Sequence, residues 1–293
     1  MPSLSFDRVA HLYDATRGYP EAVAQQIAQA IDHAAQATPQ TAFLEVGIGT
    51  GRIAFPLASL GRTYTGVDIS EKMVKQLEAK LRKTGWQEYE QAWGTLPDEN
   101  AGPGPVVRRF VQHTKGASLR LVMADMTQLP FRNGSFDAAV AVHVFHLVDG
   151  WQQAVHEVLR VLQPGGWFLH CWDEHGVSEL KRVEEEWPRI LQELGWPVSR
   201  PGAPSHSSVE DLLHEQGLQP EKFYATSWEI AATPRQVLEY VTQRMGSSTW
   251  GVPDDIFRAS TERLWQWANS YYGAKLDVEY RQGRRFVISK TQV

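Results

Sequence analysis

The stretch Phe43–Gly51 reads F-L-E-V-G-I-G-T-G, and seventeen residues after Gly51 an apolar run closes on Asp68 in G-V-D-I-S. A short apolar run leading through Glu45 into three alternating glycines, Gly47, Gly49 and Gly51, describes a buried strand that opens into a loop. Such a loop lets a ligand approach the backbone closely. An acidic side chain at the tip of the following strand can accept hydrogen bonds from both hydroxyls of a ribose. The two features together describe a nucleotide cradle for an adenosine-containing ligand. The spacing is G-x-G-x-G, whereas a pyrophosphate set on a helix N-terminus calls for G-x-G-x-x-G. A nucleoside without phosphate fits better. A carboxylate at Glu45 would repel a pyrophosphate and suits the cationic, amine-bearing methionine part of S-adenosylmethionine.

Further motifs follow in order: V-D-I-S, M-A-D-M-T-Q-L-P-F, S-F-D-A-A-V-A-V-H and L-R-V-L-Q-P-G-G-W-F-L-H. With E-V-G-I-G-T-G they form a set that resembles the class I S-adenosylmethionine-dependent methyltransferases. The opening F-D-R-V-A-H-L-Y-D-A-T-R-G-Y-P is similar to that of small-molecule members, including those related to ubiquinone and menaquinone biosynthesis. The resemblance spans roughly residues 5 to 172, and its specificity lies in the order of the motifs. It implies an α/β, Rossmann-like, mostly parallel seven-stranded sheet with helices on both faces and an inserted helical cap. It also implies that Asp125 accepts the adenine amine, that Ala124 and Met126 line the ring's pocket, and that Ile69 covers its other face. Tyr13 and Arg17 lie one helical turn apart, where a guanidinium suits the methionyl carboxylate. His143 falls where the cofactor is usually touched.

Composition agrees with a globular enzyme. A hydrophobic content of 42% is ordinary for a chain with a full core. The 34 acidic residues outnumber the 29 basic ones, so no diffuse basic surface exists to neutralise a phosphate backbone and nucleic acid is not the expected partner. The single cysteine, Cys171, excludes an internal disulfide and suits a reducing compartment. The N-terminus lacks the charged lead and apolar core of a signal peptide, and no apolar run approaches the ~20 residues of a membrane span. A cytoplasmic protein is expected.

Strands and helices alternate from about residue 41 to 172, the pattern of a parallel sheet covered on both faces. The pattern predicts a helix over 20–37, strands at 41–46 and 63–68, a crossover helix at 52–60, and a helix capped by Ser70 that ends near Gly85. Strands follow at 119–124 and 136–142, then a helix over 151–162 stopped by Gln163-Pro164-Gly165-Gly166. Residues 86–118, with P-D-E-N-A-G-P-G-P and a basic R-R-F-V-Q-H-T-K segment, read as an exposed solvated loop whose order is left open. The core is accordingly assigned to 1–172 and cap helices to 173–220. Residues 221–293 hold the last strands, with a helical insertion at 233–273. Within these, Val177–Leu194 is one apolar-faced helix with Pro188 as a kink or fresh start. Ser207–Glu210 and Thr233–Gln236 are capping boxes, and Asp254–Tyr272 is a further helix.

His143 and His146 follow the fourth strand, at the sheet edge where ligands of open α/β folds bind. Either is a possible general base, with His146 preferred; methyl transfer needs a base only if the acceptor must lose a proton. His170, Trp172, Trp228, Trp250, Trp265 and Trp267 are aromatic or imidazole groups for core packing or for an acceptor pocket. No metal is expected: H-E-x-x-H and paired C-x-x-C are missing, and G-x-S-x-G, N-P-P-Y and the cysteines of arsenic-methylating relatives are missing too. The expected function is transfer of a methyl group to a small-molecule acceptor at oxygen, nitrogen or carbon by in-line displacement. A non-catalytic S-adenosylmethionine-binding protein and an NAD(P)-dependent oxidoreductase are the alternatives. Acceptor, pathway and oligomeric state stay open.

Overall fold

The structure, a computed structural model, describes residues 4–89, 106–112, 116–197 and 201–293. Nine strands form one sheet among these residues: β1 (Ala42–Val46), β2 (Thr63–Asp68), β3 (Gln87–Glu88), β4 (Val107–Gln112), β5 (Ala117–Met123), β6 (Phe136–Val142), β7 (Leu162–His175), β8 (Glu221–Ala232) and β9 (Tyr280–Gln292). Their order is β3-β4-β5-β2-β1-β6-β7-β9-β8. The helices are α1 (Tyr13–Arg17), α2 (Glu21–Ala34), α3 (Ala54–Ala58), α4 (Glu71–Lys83), α5 (Trp151–Val161), α6 (Leu180–Glu193), α7 (His206–Glu215), α8 (Pro234–Thr242) and α9 (Asp254–Tyr272).

The chain divides into two compact units. The first comprises residues 1–172, 202–226 and 286–293, the second 173–201 and 227–285. In the first, β2 pairs in parallel with β5 and β1, and β6 with β1 and β7. Strand alternation sends Leu44 and Val46 to one face, where they join Val155 and Val158 of α5 and Val209 and Leu213 of α7. Phe43 points to the other face and stacks on Tyr64 of β2, with ring centroids 5.7 Å apart. Both faces of the sheet are covered, which is why these strands read as near-continuous apolar runs.

The expected seven-stranded, mostly parallel sheet is corrected here: the sheet has nine strands and is mixed. The difference arises in the 86–118 stretch read as a loop, where β4 pairs antiparallel with both β3 and β5. Its V-R-R-F-V-Q sequence tolerates two arginines because both have partners: Arg108 pairs with Glu78 of α4, while Arg109 lies over the Tyr89 ring and donates to Ser118. Residues 90–105 and 113–115 lie outside the described residues. Two smaller corrections concern turns. Gln163–Gly166 lies within β7 as a register irregularity. Helix α7 begins at His206 with Ser205 as its cap, the Ser208 amide donating to Ser205 Oγ at 3.1 Å, so Ser207 is not the cap.

The 173–220 segment assigned to a cap is also shared out differently. Helix α7 belongs to the first unit, because its apolar face is buried against α5. The second unit packs α6, α8 and α9 around Val183, Trp187, Leu238, Phe257 and Leu264. Helix α6 runs through Pro188 unbroken, and Trp187 Nε1 donates to the buried Ser260 hydroxyl at 3.2 Å. Trp265 and Trp267 pack against this cluster. No helix among the described residues is long and apolar enough to cross a membrane.

Candidate functional site

A pocket in the first unit opens where β1, β2, β5 and β6 end. Gly47 and Gly49 line it beside Asp68, Ile69 and Ser70, with Ala124, Asp125 and Met126 after β5 and Val142, His143 and Val144 after β6. Leu4, Ser5, Phe6 and Tyr13 add a wall from the N-terminal segment.

The glycine loop holds its shape through backbone geometry that side chains disfavour. Gly47, Gly49 and Gly51 all have positive φ, at 75°, 56° and 72°. A Cβ on Gly47 would meet Val144 Cγ2 at 2.5 Å, and one on Gly51 would meet Leu77 at 2.5 Å. The amides of Gly47 and Ile48 both donate to the Val67 carbonyl, and Thr50 donates to Asp14 of α1. Lys80 of α4 donates to the Thr50 carbonyl and pairs with the same Asp14 at 2.7 Å.

Asp68 closes β2 with its carboxylate fixed by two backbone donors: the Gly49 amide reaches Oδ2 and the Ser70 amide Oδ1, each at 2.7 Å. Burial pushes its pKa up from the ordinary carboxylate value, against the lowering effect of these amides. Each oxygen keeps further acceptor capacity toward the pocket. Ile69, 54% exposed, offers an apolar surface at its mouth. Asp125 accepts from the Thr127 amide and hydroxyl at Oδ1, an Asx turn that fixes the loop after β5.

Of the remaining residues proposed from sequence, His143 lines the pocket, whereas Gly51, Glu45, Arg17 and His146 do not. Gly51 packs against Leu77, off the pocket lining. Glu45 is 2% exposed and does not line the pocket; it accepts a hydrogen bond from Tyr64 at 2.8 Å. Burial raises its pKa to about 8. Arg17 is held over the Phe6 and Tyr13 rings, one layer behind the pocket wall. His143 lines the pocket with the unusual φ of 51°, its amide bonded to the Cys171 carbonyl. His146 sits in the 3₁₀ turn Phe145–Leu147 and does not line the pocket.

Sequence reasoning missed the contribution of Leu4, Ser5 and Phe6. The signal was present in Asp7, whose carboxylate accepts from the Ser70 hydroxyl and the Lys72 amide at the start of α4, tying the N-terminal segment to the pocket rim. Also missed was His206, at the start of α7.

Residues 44–168 match the family model described as "Methyltransferase domain". Among curated proteins, the chain is 28% identical to a malonyl-[acyl-carrier protein] O-methyltransferase of Herminiimonas arsenicoxydans, over 77% of this chain and 69% of that one. It is 22% identical to a sterol 4-C-methyltransferase of Caenorhabditis elegans, over 67% of this chain and 46% of that one. With the human mitochondrial 2-methoxy-6-polyprenyl-1,4-benzoquinol methylase it shares 29% identity, over 45% of this chain and 42% of that one. The chain thus spans less than half the length of the nematode and human relatives. In fold it is similar to a crystal structure from Bacillus halodurans titled a putative methyltransferase, with a TM-score of 0.54, 17% identity, and coverage of 91% of this chain and 97% of that one. The glycine loop and Asp68 meet at one pocket inside the residues that match the methyltransferase domain model.

Proposed function

We propose that the chain transfers a methyl group from S-adenosylmethionine to a small-molecule acceptor. One observation carries the reading: within residues 44–168, Gly47, Gly49 and Asp68 line a single pocket, with the Asp68 carboxylate pre-set by two backbone amides. The donor set suits an uncharged adenosine: a fixed carboxylate for two hydroxyls, a loop without side chains, and apolar surface from Ile69, Ala124 and Met126 for a purine ring. Asp68 would hold the ribose, and Asp125 would accept the adenine amine. Gly47, Gly49 and His143 would surround the methionine part, and Tyr13 would wall the nucleoside end. When bound, the sulfonium supplies an electrophilic methyl group, so the protein's task is to orient an acceptor in line with it and exclude water.

The acid excess and the lone, buried Cys171 favour a small metabolite in a reducing, cytoplasmic compartment over a nucleic acid. The test combines calorimetric titration with S-adenosylhomocysteine and incubation of the chain with a metabolite extract and S-adenosylmethionine bearing a heavy methyl group. Binding together with a labelled metabolite supports the reading. Binding without label points to a non-catalytic cofactor-binding protein, and no binding overturns both.

A further inference from the structure

Beside the pocket, on its β6 and β7 side, four histidines converge within the first unit. His170 of β7 is 2% exposed, and its Nε2 lies 3.4 Å from Nδ1 of His206, the first residue of α7. His206 stacks on Trp172 with centroids 4.4 Å apart and planes 7° from parallel. The His143 ring, on the pocket wall, is 6.2 Å from that of His206. The segment before α7 is anchored tightly: the Ala203 amide donates to the Phe145 carbonyl at 3.0 Å, and a Cβ on Gly202 would meet that carbonyl oxygen at 1.9 Å. The start of α7, and with it His206, is therefore pinned beside the cofactor pocket.

Burial holds the His170 pKa well below the ordinary histidine value, and the neighbouring His206, His143 and His146 lower it further. A neutral imidazole always carries one lone pair. His170 Nδ1 is sealed with no hydrogen-bond partner, whereas Nε2 faces His206. His206 Nδ1 thus faces a neutral acceptor, and its ring lies on the face of Trp172, so both contacts suit the charge that the ring would gain on taking up a proton. Among the described residues, His170, His143 and Trp172 lie against His206, and His146 is close enough to act on the His170 charge.

We propose that His206, backed by His170 and Trp172, is the group that takes a proton from the acceptor, and that the acceptor is therefore one that loses a proton on methylation, from a hydroxyl or an activated carbon. This deepens the methyltransferase reading and rests on it. In the step, the acceptor oxygen or carbon forms its new bond to the methyl carbon as the sulfonium carbon–sulfur bond breaks. The sulfur keeps that electron pair and becomes a neutral thioether. The acceptor's proton passes to His206 Nε2, while Nδ1–H donates to His170 Nε2, and from the partly exposed His206 the proton leaves to water. His206 would be a catalytic residue and His170 a positioning residue.

The experiment compares wild type with His206→Gln and His206→Ala in the heavy-methyl metabolite assay. His206→Gln is expected to form labelled product at least about a hundredfold more slowly near neutral pH, to recover as pH rises, and to bind S-adenosylhomocysteine with unchanged affinity. The product should have exchanged one hydrogen for the methyl group. A wild-type rate and pH profile in His206→Gln overturns the proposal, as does a product that retains every acceptor hydrogen and gains a positive charge. Independently of turnover, ¹⁵N NMR of the histidines in the S-adenosylhomocysteine-loaded chain should show His170 neutral through the range where free histidine titrates. Its ring resonances should move as His206 titrates and stay fixed in His206→Gln. Four rings titrating as isolated imidazoles would end the pairing whatever the assay reads. Failure of wild type to bind S-adenosylhomocysteine would instead remove the underlying methyltransferase reading.

Discussion

The Tyr64 hydroxyl donates to the Glu45 carboxyl at 2.8 Å, with both side chains sealed inside the sheet of the first unit. A carboxyl that gains only one strong donor while losing water holds its proton, and burial raises the Glu45 pKa from 4.5 to about 8. Between these values the unfolded chain releases the proton and the folded chain keeps it. Stability therefore falls as pH rises through that window and levels off above it. The Glu45→Gln variant keeps an acceptor for Tyr64 and has no proton to lose. We expect it to match wild type near pH 4 and to exceed it in unfolding free energy, read from urea titrations, by a margin that grows toward pH 8, on the order of a few kcal/mol there. A margin that is flat across this range would show that Glu45 is ionised in the fold.

Asp68 gives the sharpest test of the cofactor assignment. Its carboxylate is held by the Gly49 and Ser70 amides, so replacement by alanine would strand two donors as well as remove the charge. Asp68→Asn is the cleaner change, because its carbonyl still accepts from an amide. Losing charge-assisted bonds to two ribose hydroxyls should weaken S-adenosylhomocysteine binding by about tenfold or more in calorimetry, with the thermal midpoint of the free chain little changed. Undiminished affinity would detach Asp68 from the ribose.

Much of this site was legible because its signals are local. Gly47, Gly49 and Asp68 announce a loop and a strand tip through residue type alone, and Asp254–Tyr272 and Phe136–Val142 were read from the sequence with the bounds they have in the fold. The burial of Glu45 is not told by its distance of two residues from the glycine loop. Strand parity puts Glu45 on the face of Phe43, opposite Leu44 and Val46, and in a sheet covered on both sides that means burial. Strand β4 was hidden by the flanking proline and glycine and by two adjacent arginines, whose partners Glu78 and Ser118 lie on other elements. His206 carried no signal at all, since only the fold brings it within 3.4 Å of His170, 36 positions away.

The loop conformation itself can be tested at Gly47. Its φ of 75° disfavours any side chain, and an added Cβ would lie 2.5 Å from Val144 Cγ2. Gly47→Ala should cost about 1–3 kcal/mol in urea unfolding and abolish detectable S-adenosylhomocysteine binding. The double variant Gly47→Ala with Val144→Ala removes the clash and leaves the backbone strain, so it should regain only part of the loss. Full recovery in the double variant would mean that the positive φ carries no cost.

Arg17 separates two roles that the same residue can play. Its guanidinium lies 4.8 Å from the centre of the Phe6 ring and 5.2 Å from that of Tyr13, and those rings meet edge to face at 5.4 Å on the pocket wall. In this position Arg17 acts by bracing the wall. Arg17→Ala should lower affinity several-fold through lost cation–π and stacking contact, and Arg17→Lys should restore little of it, because an ammonium lacks the planar face. The ligand series that decides is S-adenosylhomocysteine against methylthioadenosine, which lacks the amino acid part. A braced wall serves the nucleoside end, so both ligands should weaken by the same factor. A loss confined to S-adenosylhomocysteine would place the guanidinium on the methionyl carboxylate, the role that the opening motif implies.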